Sequence, residues 1–204
     1  MTEQRPMGEA RMWIRRLAVA LLISCWSVSA GARGLDFSLW DDTAQIIGYT
    51  SPPPGTTGDI DNVDVGGGLF INDDGDWMIQ GIVHVLGPPA EGFSPLQLGA
   101  GAKAMLFYLD EPGRTAGGLA LGASARISFP AQVPQALVLR GHAAPNITSF
   151  GRANRVFEGV ARYKFEFTEQ ASAYVGFRYL RVNLSSHSNQ TLDNNLHVGV
   201  RLSF

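Results

Sequence analysis

Three stretches of this 204-residue chain hold residue types able to do chemistry. INDDGD, residues 71–76, places Asp73, Asp74 and Asp76 in one loop beside Asn72. Calcium takes about six to eight oxygens, and this run lacks the later Glu of an EF-hand loop; Asp74-Gly75 reads instead as a two-residue type I′ hairpin turn. SHSNQT, residues 186–191, holds a His and a Ser, the pair that some outer-membrane lipid A deacylases use with one residue between them. Here His187 and Ser188 are adjacent, so on a strand they point to opposite faces and the base cannot easily reach the nucleophile. Asp41 and Asp42 with distant histidines do not reproduce an omptin-like protease pattern. The only cysteine, Cys25, lies in an N-terminal apolar stretch. The expectation is a chain with no catalytic, cofactor-binding or metal-binding residues.

The remaining charges are scattered along segments that alternate in character with period two, the spacing of a half-buried strand. Ten such segments follow the N-terminus: 35–41, 44–50, 62–72, 77–87, 96–110, 117–129, 136–143, 155–168, 172–184 and 192–204. Turn chemistry separates them, in DDGD, DEPGRT, TEQ and HSNQT. Proline cannot donate to a strand ladder, and every proline beyond residue 50 falls between or at the ends of these segments. No helical period and no linker interrupt the pattern. It predicts one antiparallel all-β domain over 31–204, with about ten strands. Eight is the alternative if 35–50 is irregular, but a single-chain bacterial barrel has an even count, which one strand over 35–50 would not give.

A soluble and a membrane barrel share this alternation but invert its meaning. In RVFEGVARYKFEFT, residues 155–168, Phe157, Gly159, Ala161, Tyr163, Phe165 and Phe167 share one face, while Glu158, Val160, Arg162, Lys164 and Glu166 share the other. In GGLALGASARISF, residues 117–129, Leu119, Leu121, Ala123, Ala125, Ile127 and Phe129 oppose Ala120, Gly122, Ser124, Arg126 and Ser128. The polar faces are sparse and rich in small residues, and only 17% of the chain is charged, against about 25% in typical soluble domains. Such faces suit a crowded lumen better than a water-facing surface. The inward charges are then Asp36, Asp64, Lys103, Arg126, Arg140, Glu158, Arg162, Lys164, Glu166, Arg178 and Arg201, with His84, His142 and His197 among them. Arg140 and Arg178 flank Glu158 and Glu166 and are expected to pair with them across the ladder. A packed plug is the first reading of such a lumen; a narrow pore whose basic excess favours anions is the second.

Both termini agree with export to a membrane. Arg11, Arg15 and Arg16 precede the apolar run Leu17–Trp26, and small residues end at Ala30, so residues 1–30 read as a cleaved signal peptide, with Met12 a candidate start. A buried helix or a retained anchor is the alternative, and LISC, residues 22–25, weakly resembles a lipobox. Removing 1–30 takes four basic and two acidic residues from totals of 16 and 18, leaving a net charge of −4 and no thiol. That excludes disulfides and gives no sign of nucleic-acid binding. At the other end, Leu196, Val198, Val200, Leu202 and Phe204 alternate with His197, Gly199, Arg201 and Ser203. With aromatics near strand ends (Trp77, Tyr108, Phe129, Phe167, Tyr179), this resembles bacterial outer-membrane proteins, whose closing strand is read by the assembly machinery; Val198, Val200, Leu202 and Phe204 would be that insertion signature.

The stretches 71–82, 98–110, 143–150, RVFEGVARYKF, 173–184 and LHVGVRLSF, in this order and spacing, resemble the YfaZ-type family of bacterial outer-membrane proteins. The likeness covers nearly all of the chain beyond residue 30. It implies a transmembrane barrel of the Gram-negative outer membrane and transfers no catalytic residues; the expected partners are lipid and the assembly machinery, and no cofactor is expected. Two other classes stay open: an outer-membrane lipid-modifying enzyme and a periplasmic lipocalin-like binder. A periplasmic C-terminus would put SPPPGTTGDID and GPPAEGFSP on the side where turns are usually short.

Overall fold

The computed structural model describes residues 33–50, 63–110, 114–184 and 189–204. Their strands are β1 Gly34–Leu39, β2 Thr43–Thr50, β3 Val63–Asn72, β4 Trp77–Ala90, β5 Phe93–Leu109 and β6 Arg114–Phe129, then β7 Gln135–Ala144, the short β8 Ser149–Gly151, β9 Ala153–Thr168, β10 Ala171–Leu184 and β11 Asn189–Ser203. All except β8 pair antiparallel with their neighbours in the chain, β7 joining β9, and the β1–β11 ladder from Gly34↔Ser203 to Leu39↔Val198 closes the sheet. The result is a closed, ten-stranded, up-and-down antiparallel barrel. Both its strand count and the placement of its strands agree with the alternating segments, to within a few residues at each end. The expected N-terminal signal, residues 1–30, and Cys25 within it lie outside the described residues.

The faces are inverted relative to a soluble barrel. Leu98, Leu119, Leu121, Leu139, Val175, Val198 and their alternating neighbours stand on the outer surface, whereas Asp36, Gln80, Lys103, Glu158 and Arg178 are buried inside. Aromatic rings crowd the two ends of that outer surface. Trp77 stacks on Tyr108, and Phe157 leans on Tyr179, towards the end holding the β3–β4 and β5–β6 turns. Phe129 stacks on Tyr163 and Tyr163 meets Phe165 edge-on near the end holding the chain's C-terminus. From Phe157 to Phe165 the outer face of β9 runs roughly 26 Å at about 3.3 Å per residue. At a tilt of about 40° that is roughly 20 Å of height, close to the band a bilayer core requires.

The inner wall is shaped by ring-over-glycine pairs. Tyr49 faces Gly66, His84 faces Gly101, His142 faces Gly122, His197 faces Gly176 and Tyr174 faces Gly199, each directly opposite on the neighbouring strand. A Cβ on Gly66 would stand 2.8 Å from the Tyr49 ring, and one on Gly101 would stand 2.7 Å from the His84 ring. Each ring therefore occupies the gap that its partner leaves. This is the packing reason for the small residues of the inner faces: glycine on one strand makes room for a ring on the next.

Four local features differ from the sequence expectation. Pro88 and Pro89 lie within β4 and Pro95 within β5, at a stretch where the ladder slips register at Leu86/Pro89 and Pro89/Ala90. Proline is tolerated there because the regular ladder has already been broken. GPPAEGFSP is consequently no long loop: β4 and β5 continue to a turn of only Glu91 and Gly92, with Gly92 at φ +77°. The Pro-rich stretch 51–61 lies outside the described residues. The β3–β4 turn is closed by Gly75 N–H donating to Asn72 O at 3.4 Å, so Asp73 and Asp74 are its central residues and Gly75 follows at φ +86°. That is the longer loop ending in a left-handed glycine, and not a two-residue type I′ turn on Asp74-Gly75.

The fourth feature is the segment 145–152. β7 pairs with β6 only from Leu121 to Phe129, which leaves the other end of β6 without that neighbour. A 3-10 turn at Asn146–Thr148 leads into β8, whose Ser149–Gly151 pairs with Ala116–Gly118. The exposed β6 edge is thereby covered.

Candidate functional site: the barrel interior

The inward-facing side chains form three layers. At the end opposite the C-terminus, Phe70, Met78, Met105, Phe107, Leu109, Val156, Leu180, Val182, Leu184 and Leu192 pack with small alanines into one buried apolar cluster. β3, β4, β5, β6, β7, β9, β10 and β11 all contribute to it, while the buried inner-face residues of β1 and β2 at this level are polar: Ser38, Thr43 and Gln45. Phe70, Phe107 and Leu180 have no exposed surface.

Below this layer lies a belt of ion pairs that cross the lumen. Lys103 Nζ on β5 donates to both Glu158 carboxylate oxygens on β9 at 2.7 Å, and both residues are almost fully buried. His142 Nδ1 approaches Glu158 Oε2 at 3.4 Å, outside hydrogen-bond geometry. Arg162 on β9 reaches Asp36 on β1 at 3.1 Å, and Tyr174 O–H donates to the other Asp36 oxygen at 2.5 Å. The Arg162 guanidinium also lies 4.3 Å from the centre of the Tyr174 ring. Arg178 pairs with Asp193 at 2.5 Å while lying 4.6 Å from the Phe70 ring centre, which joins the charged belt to the apolar layer. Each buried ion thus has a partner, as desolvation demands.

The third layer is a cavity of about 360 Å³ that opens at the end holding the C-terminus and the β4–β5 turn. Arg126 donates to Glu166 at 2.7 Å, Lys164 lies 3.6 Å from the same carboxylate, and Arg201 reaches Asp64 at 3.3 Å over the Tyr49 ring. Arg140 lines this cavity too.

All of the charges expected in the lumen are on inner-face positions: Asp36, Asp64, Lys103, Arg126, Arg140, Glu158, Arg162, Lys164, Glu166, Arg178 and Arg201, with the three histidines. Their expected pairing is not what forms. Arg140 and Arg178 both face Val160 in the ladder, Glu158 takes Lys103, Glu166 takes Arg126, and Arg178 takes Asp193. The reason is reach. Lys103, Arg126, Arg162 and Arg201 extend into the lumen centre, beyond the adjacent strand, and meet carboxylates from strands two or three places away around the wall, while Arg178 alone takes a carboxylate from the neighbouring β11.

Asp193 was not among the expected charges, although it shares parity with His197 and Arg201. A bulge between Leu180 and Arg181 lets both Leu192 and Asp193 turn inward, so the carboxylate reaches Arg178. Tyr49, Tyr174 and Gln80 are further inner-face groups that parity alone would have identified.

The acidic turn residues act as clamps. Asp76 Oδ1 accepts from Asp110 N at 2.9 Å and Oδ2 accepts from Asn72 Nδ2 at 3.2 Å, while both Asp42 oxygens accept from Asn195 Nδ2 at 2.8–3.0 Å. No His, Cys, Asp and Glu group among the described residues has the arrangement of a metal site. His187 and Ser188 lie outside the described residues. No helix among the described residues is long and apolar enough to cross a membrane, which says nothing about strands. Comparison of the chain with protein-family models, curated proteins and solved structures returned no match.

Proposed function

We propose that this chain is a small outer-membrane β-barrel protein of the Gram-negative envelope, a side-chain-filled structural component and not a through-channel. The observation that carries the reading is the inverted barrel. Leu121 is 75% exposed, Leu98 58% and Leu119 57%, within an apolar surface that encircles the molecule while the ions are inside. A water-soluble protein rarely leaves more than about 300–600 Å² of contiguous apolar patch uncovered. Lipid is the solvent that removes this cost. A lipocalin-like binder would need the opposite arrangement, with an apolar lumen and a polar outside.

The YfaZ-type resemblance supports the same location. In this reading residues 1–30 direct export and are removed, and the assembly machinery recognises Val198, Val200, Leu202 and Phe204 on the closing strand. No reaction is assigned to the protein. The apolar cluster and the paired ions beneath it argue against conduction, because buried side chains, polar on β1 and β2 and apolar on the other strands, occupy that end of the lumen.

Single cysteines on β9 test the proposal in intact membranes. Positions 161, 163 and 165 should resist a water-soluble maleimide and react with a lipid-soluble one, and the folded protein should stay in the pellet after carbonate extraction. Equal aqueous labelling at 161, 163 and 165 and at an exposed turn position such as 169, or release by carbonate, would contradict membrane insertion.

A further inference from the structure

The cavity at the C-terminal end has more cationic than anionic wall. Arg126, Arg140, Arg162, Lys164 and Arg201 line it, against Asp36, Asp64 and Glu166 on the strands and Glu169 at the β9–β10 turn. The three strand carboxylates are already engaged: Asp36 by Arg162 and Tyr174, Asp64 by Arg201, and Glu166 by Arg126 and Lys164 together. Arg140 has no carboxylate within ion-pair distance among the described residues, and its Nε has no hydrogen-bond partner there.

The surroundings of Arg140 supply neutral groups of the matching kind. Ser124 lies directly opposite it on β6, 8% exposed, with a hydroxyl that has no partner. His84 lines the same cavity at 4% exposure, and its Nε2 is also without a partner. Between them the wall is Gly99, which faces Ser124 in the ladder. A Cβ there would stand 2.7 Å from Ser124 Oγ and 3.0 Å from His84 Cε1, so only glycine lets these two side chains come together at that point of the wall. A guanidinium without a counter-ion and two buried polar groups without partners, all three lining the same open cavity, make a built site.

We propose that this cavity binds a soluble phosphate-bearing solute, with Arg140 as its principal ligand and Ser124, His84 and the shared cations Arg126 and Lys164 completing the cradle. A guanidinium offers a fork of N–H donors matched to two phosphate oxygens, and a hydroxyl and an imidazole N–H add directed donors to a third. The volume of about 360 Å³ exceeds that of a bare phosphate ion and leaves room for a small organic group. Entry is from the open end, where the β9–β10 turn and Ser203 form the cavity's rim. A lipid headgroup offers the same phosphate chemistry, but the wall is a continuous ladder of ten strand pairs, so a headgroup would have to leave the bilayer and cross the rim.

The test uses the protein purified from membranes in an uncharged detergent. Inorganic phosphate is titrated calorimetrically at constant ionic strength, and a second titration uses phosphatidylglycerol in mixed micelles. Saturable phosphate binding is expected, weakened at least tenfold in Arg140→Gln and several-fold in Ser124→Ala, and unchanged in Arg155→Gln, a site on the outer face at the opposite end. Heat-modifiable gel migration verifies that each variant is folded. If Arg140→Gln does not fold, Ser124→Ala decides. Wild-type affinity in the deciding variant, absence of saturable binding, or binding of phosphatidylglycerol but not of free phosphate would each overturn the site. Because the cavity is internal, these outcomes leave the membrane reading of the barrel intact.

Discussion

Lys103 and Glu158 show what a single charge does inside this barrel. Their pair is nearly inaccessible, so the two ions exist only for each other. Replacing Lys103 by Met leaves a carboxylate uncompensated and should cost about 3–5 kcal/mol in denaturant unfolding of the refolded protein. The double variant Lys103→Met with Glu158→Gln removes both charges and should recover most of that loss. Failure of the double variant to recover would mean that packing, and not charge compensation, dominates at this point. Gly199 tests the ring-over-glycine rule. Tyr174 lies over it while donating to Asp36, so Gly199→Ala forces the ring off its position and should destabilise the barrel by about 1–3 kcal/mol. Gly81 has open space around a would-be Cβ and is the control: Gly81→Ala should be tolerated in the same measurement.

At the scale of the strand, the outer faces make a prediction that reverses the usual rule for exposed positions. Leu121 on β6 is the most exposed of the barrel-wall leucines, and in water its replacement by Arg would be harmless or favourable. In lipid the same change near the middle of the band should cost about 2–4 kcal/mol of folding free energy in vesicles. Little or no cost there would place β6 in water. The closing strand β11 separates stability from assembly. Phe204 is 66% exposed and lies beyond the last residue of the β1–β11 ladder, so few fold contacts depend on it. Phe204→Ala should leave detergent refolding unchanged and lower the amount of assembled barrel in cells several-fold. A parallel loss in refolding would make the residue structural and not an address.

At the scale of the whole molecule, the interior is graded from apolar at one end to cationic and open at the other. Planar-bilayer recording on the refolded protein should therefore give no stable conductance steps, whatever the sign of the applied voltage. Regular anion-biased steps would mean that the apolar layer opens, and would restore the pore reading. The β4–β5 hairpin is the longest at the open end, where it rises beyond the last regular pair at Leu86↔Gly99.

The alternation in RVFEGVARYKFEFT was enough to assign Phe157 and Phe165 to one surface and Glu158 and Lys164 to the other. Successive Cβ atoms on a strand point to opposite sides, and this parity is a local property that needs no partner. The same parity placed Asp36, Arg126 and Arg201 on the inner wall and spaced the strands along the chain. It could not say which carboxylate each cation would find. Arg162 and Asp36 are 126 positions apart, and Arg201 and Asp64 are 137 apart; they meet only because the sheet closes and their side chains are long enough to cross it. Nor could parity foresee the bulge that turns Leu192 inward beside Asp193, the strand β8 that covers the edge of β6, or the stacking of each interior ring on a glycine, since all three depend on register between strands. Which way a side chain points was determined by the sequence alone. What it meets there was decided by closure, because a barrel joins opposite walls that the chain keeps far apart.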